Sequence, residues 1–371
     1  MVKNLFKRNY DELKFVALIF TIWRISILVI SYFAVILFEY SKKGSFLTQK
    51  YDNTFYQFFL RFDSGWYLDI AKNGYLLIEN SQSNVAFFPL MPVLMKIGSF
   101  LPLISIEISG IILANLCAFL SFFVFYKLLL LKFKDISKLS LFLLIIFPSS
   151  FFLGFVYSES LFLFLTITAW YFAEKNKIIK SSICGIFAAL TRPLGFLLFF
   201  PLLYKYYKEK TLNLSVLSGL LLIPIGIMPF LLYLYLKFND FLIFQKVQMY
   251  WDRSFTWIWD TIFVYIIEII YNFNFIIFLD LATLLIVIYL TIYLWIKVDR
   301  AYSYWVAIGI LTPSFTGTLA SINRYSLVLF PIFIAIAKIL KNKTIRIFYY
   351  IFSISILIYL TARVTLRYWG G

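Results

Sequence analysis

The 371-residue chain contains no histidine and only two cysteines, and its 34 Lys and Arg residues stand against just 18 Asp and Glu. Without histidine, imidazole acid–base chemistry, His–metal ligation and His-based triads are excluded. Cys117 and Cys184 each lie inside an apolar run, so neither a disulfide framework nor a thiolate metal site is indicated. Charge of either sign is thin: 14% of residues are charged, while 62% are hydrophobic and 22% aromatic. The sequence also lacks a Walker A run and a GxGxxG following a strand, which argues against ATP or a soluble nucleotide sugar as a reactant. Chemistry is left to carboxylates, tyrosine, lysine, arginine and hydroxyls.

Long apolar runs are what the chain does have. Runs of about 18 to 25 residues recur from end to end, enough to cross a hydrocarbon layer of about 30 Å, and the alternation of a barrel strand is absent. The expected fold is all-α: a polytopic membrane protein of roughly 9–11 transmembrane helices, forming one domain over residues 1–371. Helices are expected near 15–38, 104–126, 139–155, 157–173, 212–236, 275–296, 301–320, 325–340 and 345–362. The first run follows a basic stretch (Lys3, Lys7, Arg8, Lys14). It is too long for a signal-peptide core and has no small-residue cleavage site, so it reads as a retained helix.

Residues 181–204 resist this scheme, since Arg192-Pro193 sits in their middle. Pro193 removes an amide donor and disfavours helical geometry at Arg192. A broken, hairpin-like segment with Arg192 near the outer face is expected. Residues 39–103 form the longest non-spanning stretch, a first extracytoplasmic loop whose apolar piece, Val85 to Leu103, carries three prolines and is expected to form helices along the membrane surface.

The basic residues cluster at 1–14, 127–138, 174–180, 205–210, 297–300 and 338–346, together twenty Lys or Arg against six Asp or Glu. That asymmetry is a topology signal placing these loops in the cytoplasm, not a footprint for nucleic acid. Five polar clusters then share the outer face: Arg61-Phe-Asp63, Tyr157-Ser-Glu159-Ser160, Thr191-Arg192-Pro193, Gln245 to Arg253, and Asn323-Arg324-Tyr325. A charge at bilayer depth costs at least about 2.5–3.5 kcal/mol on insertion scales, so Glu159, Arg192 and Arg324 require partners or a wet cavity.

Asp63 is the leading candidate for a catalytic carboxylate. Flanked by Phe62, Trp66 and Tyr67, it can accept a proton from a hydroxyl nucleophile; the bland alternative is an ion pair with Arg61 or Lys72 at the start of a surface helix. Arg192, Arg253 and Arg324 suit a phosphate, because guanidinium stays charged and forks onto two oxygens; otherwise they bridge to Asp252, Asp260, Glu159 or Glu268. Trp251, Trp257 and Trp259 can stack on a sugar ring, although Trp is enriched at any membrane interface. Glu159 is either a second site carboxylate or a residue favoured by the dipole at a helix start. Arg24 faces the bundle interior.

Taken in order, Arg61-Phe-Asp63-Ser-Gly-Trp-Tyr67 through Gly74-Tyr75, Ala86-Phe-Phe-Pro-Leu-Met-Pro92, Phe147-Pro148 through Tyr157-Ser-Glu159-Ser160, Thr191-Arg192-Pro-Leu-Gly195 and Arg324-Tyr325 with Pro331 resemble the GPI mannosyltransferase 2 family, the phosphatidylinositol-glycan class V proteins and their prokaryotic relatives. The resemblance spans residues 15–335 and rests on the ordered set, each piece alone being short. It implies a C-type (GT-C) membrane glycosyltransferase that takes a sugar from a polyprenyl-phosphate carrier on the extracytoplasmic or lumenal side. It also implies an inverting transfer in which an acidic residue of the first outer loop, here Asp63, activates the acceptor hydroxyl. Many members have Trp where this chain has Phe62, a departure that leaves the carboxylate untouched.

The expectation is therefore a mannosyltransferase of a prokaryotic plasma membrane with its site facing outside. Asp63 is expected as the base, and Arg61, Tyr67, Glu159, Arg192, Gln245, Trp251, Arg253, Arg324 and Tyr325 as substrate-binding residues. The scheme calls for no metal and no cofactor. Its partners are a lipid-linked sugar donor, a hydroxyl acceptor on a glycolipid, glycan or protein, and membrane lipids. A transporter or lipid flippase is the alternative, for which intramembrane charges would line a path; a non-catalytic assembly subunit is a third reading.

Overall fold

The computed structural model describes residues 2–41 and 58–368, with side chains from residue 9 onward in the first helix. Among the described residues all α- and 3₁₀-helical structure occurs without a strand, as the apolar periodicity anticipates. The helices are α1 (Val2–Leu37), α2 (Asp63–Asn73), α3 (Leu90–Gly98), α4 (Ile106–Lys132), α5 (Ser137–Ile145), α6 (Glu159–Glu174), α7 (Ile178–Ala189), α8 (Phe199–Lys208), α9 (Leu214–Ile225), α10 (Met228–Phe238), α11 (Ile243–Lys246), α12 (Ile258–Tyr271), α13 (Phe275–Lys297), α14 (Arg300–Ser314), α15 (Ile322–Leu327), α16 (Pro331–Ile339) and α17 (Lys343–Thr365).

Among the described residues five segments are long and apolar enough to cross a membrane: Asn9–Leu37 of α1, α4, the α9–α10 stretch Leu214–Phe238, α13 and α17. Their outward faces expose Ile22, Val29 and Phe33 on α1, Leu285 and Ile292 on α13, and Phe352 and Ile358 on α17. Side chains of that kind face lipid without penalty, while the helix satisfies its own backbone. The protein is a polytopic helical membrane protein. Several of these helices start on a polar cap: Ser105 accepts from the amide of Ile108 before α4, Asn274 from Ile276 before α13, and Asn342 from Thr344 and Ile345 before α17. Such caps satisfy amides that the first turn leaves open.

The shorter helices pack inside this frame. Most of α6 is buried, from Glu159 through Ala173, consistent with a helix that is apolar on every face. Trp170 lies 4.7 Å from the Tyr302 ring of α14, and Tyr302 lies 5.7 Å from Phe330.

Four expected helices are broken. The segment expected at 139–155 stops at Ile145 and resumes as a 3₁₀ turn, Ser150–Gly154, because Pro148 between them lacks an amide and restrains Phe147. The 212–236 segment is interrupted between α9 and α10 just after Pro224. The 301–320 segment ends at Ser314, one residue past Pro313. The 325–340 segment divides into α15 and α16 ahead of Pro331, so Arg324 sits on a six-residue helix of its own. Residues 181–204 break where expected, with Arg192 extended (φ −155°, ψ 151°) between α7 and the 3₁₀ segment Pro193–Leu198. In the first loop, α2 and α3 have 11 and 9 residues, too short to cross a bilayer; residues 42–57 of that loop lie outside the described residues.

Among the described residues the basic clusters gather at one end of the bundle. Lys127 pairs with Glu12, Lys132 bridges Glu174 (3.0 Å) and Asp299 (3.8 Å), Lys205 reaches Glu209 (2.6 Å) and Glu174 (3.8 Å), and Lys208 reaches Asp299 (3.4 Å). Lys338 lies 5.1 Å from the Phe133 ring. Because α6 runs from Glu159 to Glu174, Glu159 belongs to the opposite end, and the other polar clusters assemble around it.

Candidate active site

The site is built where two helices begin on a carboxylate. Asp63 is the first residue of α2 and Glu159 the first of α6, positions at which the helix macrodipole favours negative charge. Phe62, just ahead of Asp63, holds φ 49° and ψ −113°, a region that a bulky residue enters only when its surroundings force it. One turn into α2, Trp66 and Tyr67 come onto the side of Asp63, as the three- and four-residue helical spacing dictates. The buried Tyr67 hydroxyl donates to Ser158 Oγ at 2.8 Å, which ties α2 to the start of α6. Burial, helped by the Glu159 carboxylate, raises the Tyr67 phenol well above its ordinary value, so it remains a protonated donor.

Two arginines from distant parts of the chain close on these carboxylates, and a third stands beside them across the Tyr325 ring. Arg324 Nη1 lies 2.5 Å from Asp63 Oδ2, and its Nε lies 3.3 Å from Glu159 Oε1. Arg192 Nη1 approaches the same Glu159 oxygen at 3.1 Å. The side chains of Glu159 and Arg324 are 1% and 7% exposed, against 19% for Asp63, so Asp63 is the more accessible of the two carboxylates. Arg192 and Arg253 flank the Tyr325 ring, their guanidinium carbons 5.2 and 5.7 Å from its centroid. Arg253 donates from Nη2 to the Ala320 carbonyl at 3.2 Å and has no carboxylate partner among the described residues. The cluster thus sets three guanidinium groups against two carboxylates and carries one unbalanced positive charge in a half-buried setting.

Beside Asp63 stands an aromatic wall. Trp66 stacks on Phe87 (6.0 Å, 19°), and Trp251 meets both rings edge-on at 5.7 and 6.0 Å. A flat apolar face next to a carboxylate and a spare cation is a setting in which a sugar ring can stack while its phosphate is held.

The expected residues divide accordingly. Asp63, Tyr67, Glu159, Arg192, Trp251, Arg253, Arg324 and Tyr325 come together in this region. Arg61 does not: it is 1% exposed and turns toward Tyr40, 5.9 Å from that ring. Gln245 is exposed on the short α11. Trp257 and Trp259 stack on each other at 4.8 Å, exposed, beside Phe255 and Phe315. Lys72, an alternative partner for Asp63, pairs with Glu107 instead. Arg24 packs its guanidinium on Phe59 at 4.2 Å, an interior position as anticipated.

Sequence reading missed the residues that hold Arg324 in place. Asp280, 3% exposed on α13, accepts from Asn323 Nδ2 at 2.9 Å, and Thr283 donates to Asn323 Oδ1 at 2.6 Å. A lone carboxylate inside the apolar run 275–296 was the available signal, since such residues are rarely idle. Among the described residues no group of three or more His, Cys, Asp or Glu is placed to hold a metal; both site carboxylates are committed to arginines.

Comparison with known proteins agrees with the ordered motifs as far as residue 273, short of Arg324-Tyr325 and Pro331. No curated protein matches the chain at a significant level. The family model described as Mannosyltransferase (PIG-V) matches residues 12–273, a stretch that contains Asp63, Glu159, Arg192 and Arg253. Since that match covers well over half of the 371 residues, the chain belongs to the PIG-V mannosyltransferase family and is a glycosyltransferase of the membrane.

Proposed function

We propose that the protein transfers a mannosyl group from a polyprenyl-phosphate carrier to an acceptor hydroxyl on a glycolipid, glycan or protein, with inversion, at the extracytoplasmic face of a prokaryotic plasma membrane. Asp63 takes the acceptor's proton on a carboxylate oxygen as the hydroxyl oxygen attacks the anomeric carbon. The bond from that carbon to the phosphate oxygen breaks, and polyprenyl phosphate departs with the electron pair. One displacement at one carbon inverts it.

The observation that carries this reading is the charge count around Asp63: a reachable carboxylate within one cluster of three arginines, one of which, Arg253, has no carboxylate of its own among the described residues. Guanidinium donors fixed where charge develops on a leaving phosphate lower the barrier most in a site from which water is largely excluded. The Arg324 guanidinium donates from Nη1 to Oδ2 of Asp63, and the acceptor hydroxyl takes Oδ1. The Trp66–Phe87–Trp251 wall supports a sugar face beside that oxygen, and the basic clusters at the far end of the bundle support an outward-facing site by the positive-inside rule.

The test is transfer by purified protein in nanodiscs, with radiolabelled polyprenyl-phosphate mannose as donor and a host lipid extract as acceptor. Label is expected to reach a new product with wild type and not with Asp63→Asn, which keeps the shape and removes the base. Equal transfer by both proteins would remove Asp63 from the mechanism. Transfer by neither, with correctly folded protein and several extracts, would favour a transporter.

A further inference from the structure

Arg324 sits on a helix of only six residues, α15, reached through a loop that turns at Gly317 (φ 77°) and at Ser321, which adopts the left-handed conformation at φ 74°. So short a helix has little stability of its own; its position is set by what grips it. The grip is polar. The Tyr265 hydroxyl accepts from the amide of Leu319 at 2.9 Å, Ser149 Oγ donates to the Asn323 carbonyl at 2.9 Å, and the Asn323 side chain is fixed from both ends, its amide nitrogen on Asp280 and its amide oxygen on the Thr283 hydroxyl. Asp280 and Thr283 are one turn apart on α13, about 8 and 12 Å from its start by helical rise. Asp280 forms no ion pair among the described residues, so what its buried carboxylate supplies is an acceptor that a neutral apolar side chain lacks.

We propose that Asp280 is a positioning residue for the transfer reaction: by orienting Asn323 it fixes the turn of α15 that presents Arg324 to Asp63 and Glu159. The proposal rests on the reading of that cluster as the transfer site. Asp280 Oδ1 accepts from Nδ2 of Asn323, so Asp280 dictates which end of the amide lies against residue 280, and the Thr283 hydroxyl holds the other end on the same helix. Arg324 follows Asn323 directly in the chain. A rotation of α15 that α13 no longer resists moves the guanidinium away from Asp63 Oδ2, and with it the geometry on which both the base and the phosphate depend. Displacements of about 1 Å at a reacting centre can cost about 100-fold in rate.

The experiment is a double-mutant cycle read in the transfer assay, with thermal melting recorded on every variant. Asp280→Leu is expected to lower kcat at least about tenfold, Asp280→Asn to restore most of it because an amide oxygen still accepts from Asn323, and Asp280→Leu to cause no further loss when added to Arg324→Lys. Losses that multiply in the double variant, or an Asp280→Asn protein as impaired as Asp280→Leu, would overturn the positioning role. Should Asp280→Leu fail to fold, Thr283→Val carries the same comparison, with a loss expected when it is the sole substitution and none when it is added to Arg324→Lys. An Arg324→Lys protein with wild-type transfer would overturn the site reading itself, a result separate from the other two.

Discussion

Glu159 and Arg253 share one cluster but answer to different physics. Glu159 is sealed between Arg192 and Arg324. Removing one partner from a buried ion pair leaves charge uncompensated and costs about 3–5 kcal/mol, so Glu159→Gln is expected to lower the melting temperature sharply in detergent, with activity falling alongside the folded fraction. Arg253 is half-buried and bonded to one carbonyl, and its loss leaves no charge stranded. Arg253→Gln is expected to melt as wild type while the donor KM rises about tenfold or more, since a hydrogen bond to a charged group is worth about 1.5–3 kcal/mol and about 1.4 kcal/mol is tenfold. An unchanged donor KM would take Arg253 off the phosphate. Unchanged melting of Glu159→Gln would mean that the two arginines do not depend on that carboxylate.

At the scale of elements, the cluster depends on chain breaks, and Gly195 makes one of them possible. A Cβ on Gly195 would stand 2.2 Å from the carbonyl carbon and oxygen of Ala188 and 2.5 Å from the amide nitrogen of Ala189. These are backbone atoms at the end of α7 and cannot swing aside. Gly195→Ala is expected to cost about 1–3 kcal/mol through overpacking and to push the Pro193–Leu198 segment off α7, carrying Arg192 away from Glu159. Melting temperature and donor KM should therefore shift together, in contrast with Arg253→Gln; a silent Gly195→Ala would show that the two segments separate without strain. Of the proline breaks, the one at Arg192-Pro193 was read from the sequence, while the segments holding Pro148, Pro224 and Pro313 were expected as continuous helices and are interrupted, although proline acts on its own residue and the one before it. The start of α15 was not legible, since residues 321–328 contain no proline or glycine and the short helix is held by contacts with α13, α14 and Ser149. For the same reason Asp63, Glu159, Arg192 and Arg324 could be named from motifs, whereas the role of Asp280 appears only when α13 lies against α15. Arg61 shows the converse: adjacency to Asp63 in sequence placed it in the site, and the tight start of α2 turned its side chain to the other side.

At the scale of the whole molecule, the bundle has two unlike ends. One binds its lysines to Glu12, Glu174, Glu209 and Asp299; the other carries the carboxylate–arginine cluster under an aromatic wall. Positive charge in short loops is retained on the cytoplasmic side during insertion, so the cluster is expected to face outward, the side on which the proposed lipid-linked donor would meet it. Single-cysteine labelling checks this directly. Cys117 is buried and Cys184 half-buried, so both can be replaced by Ser or Ala as a background for one new thiol at an exposed position. Glu79 is exposed in the loop after α2, where Gln82 donates to the Tyr250 carbonyl beside Trp251; Lys341 is exposed between α16 and α17 at the basic end. In intact cells a membrane-impermeant maleimide is expected to label Glu79→Cys, and to label Lys341→Cys only after permeabilisation. The reverse pattern would turn the site toward the cytoplasm without disturbing its geometry, and the donor would then have to be sought among sugars activated on that side.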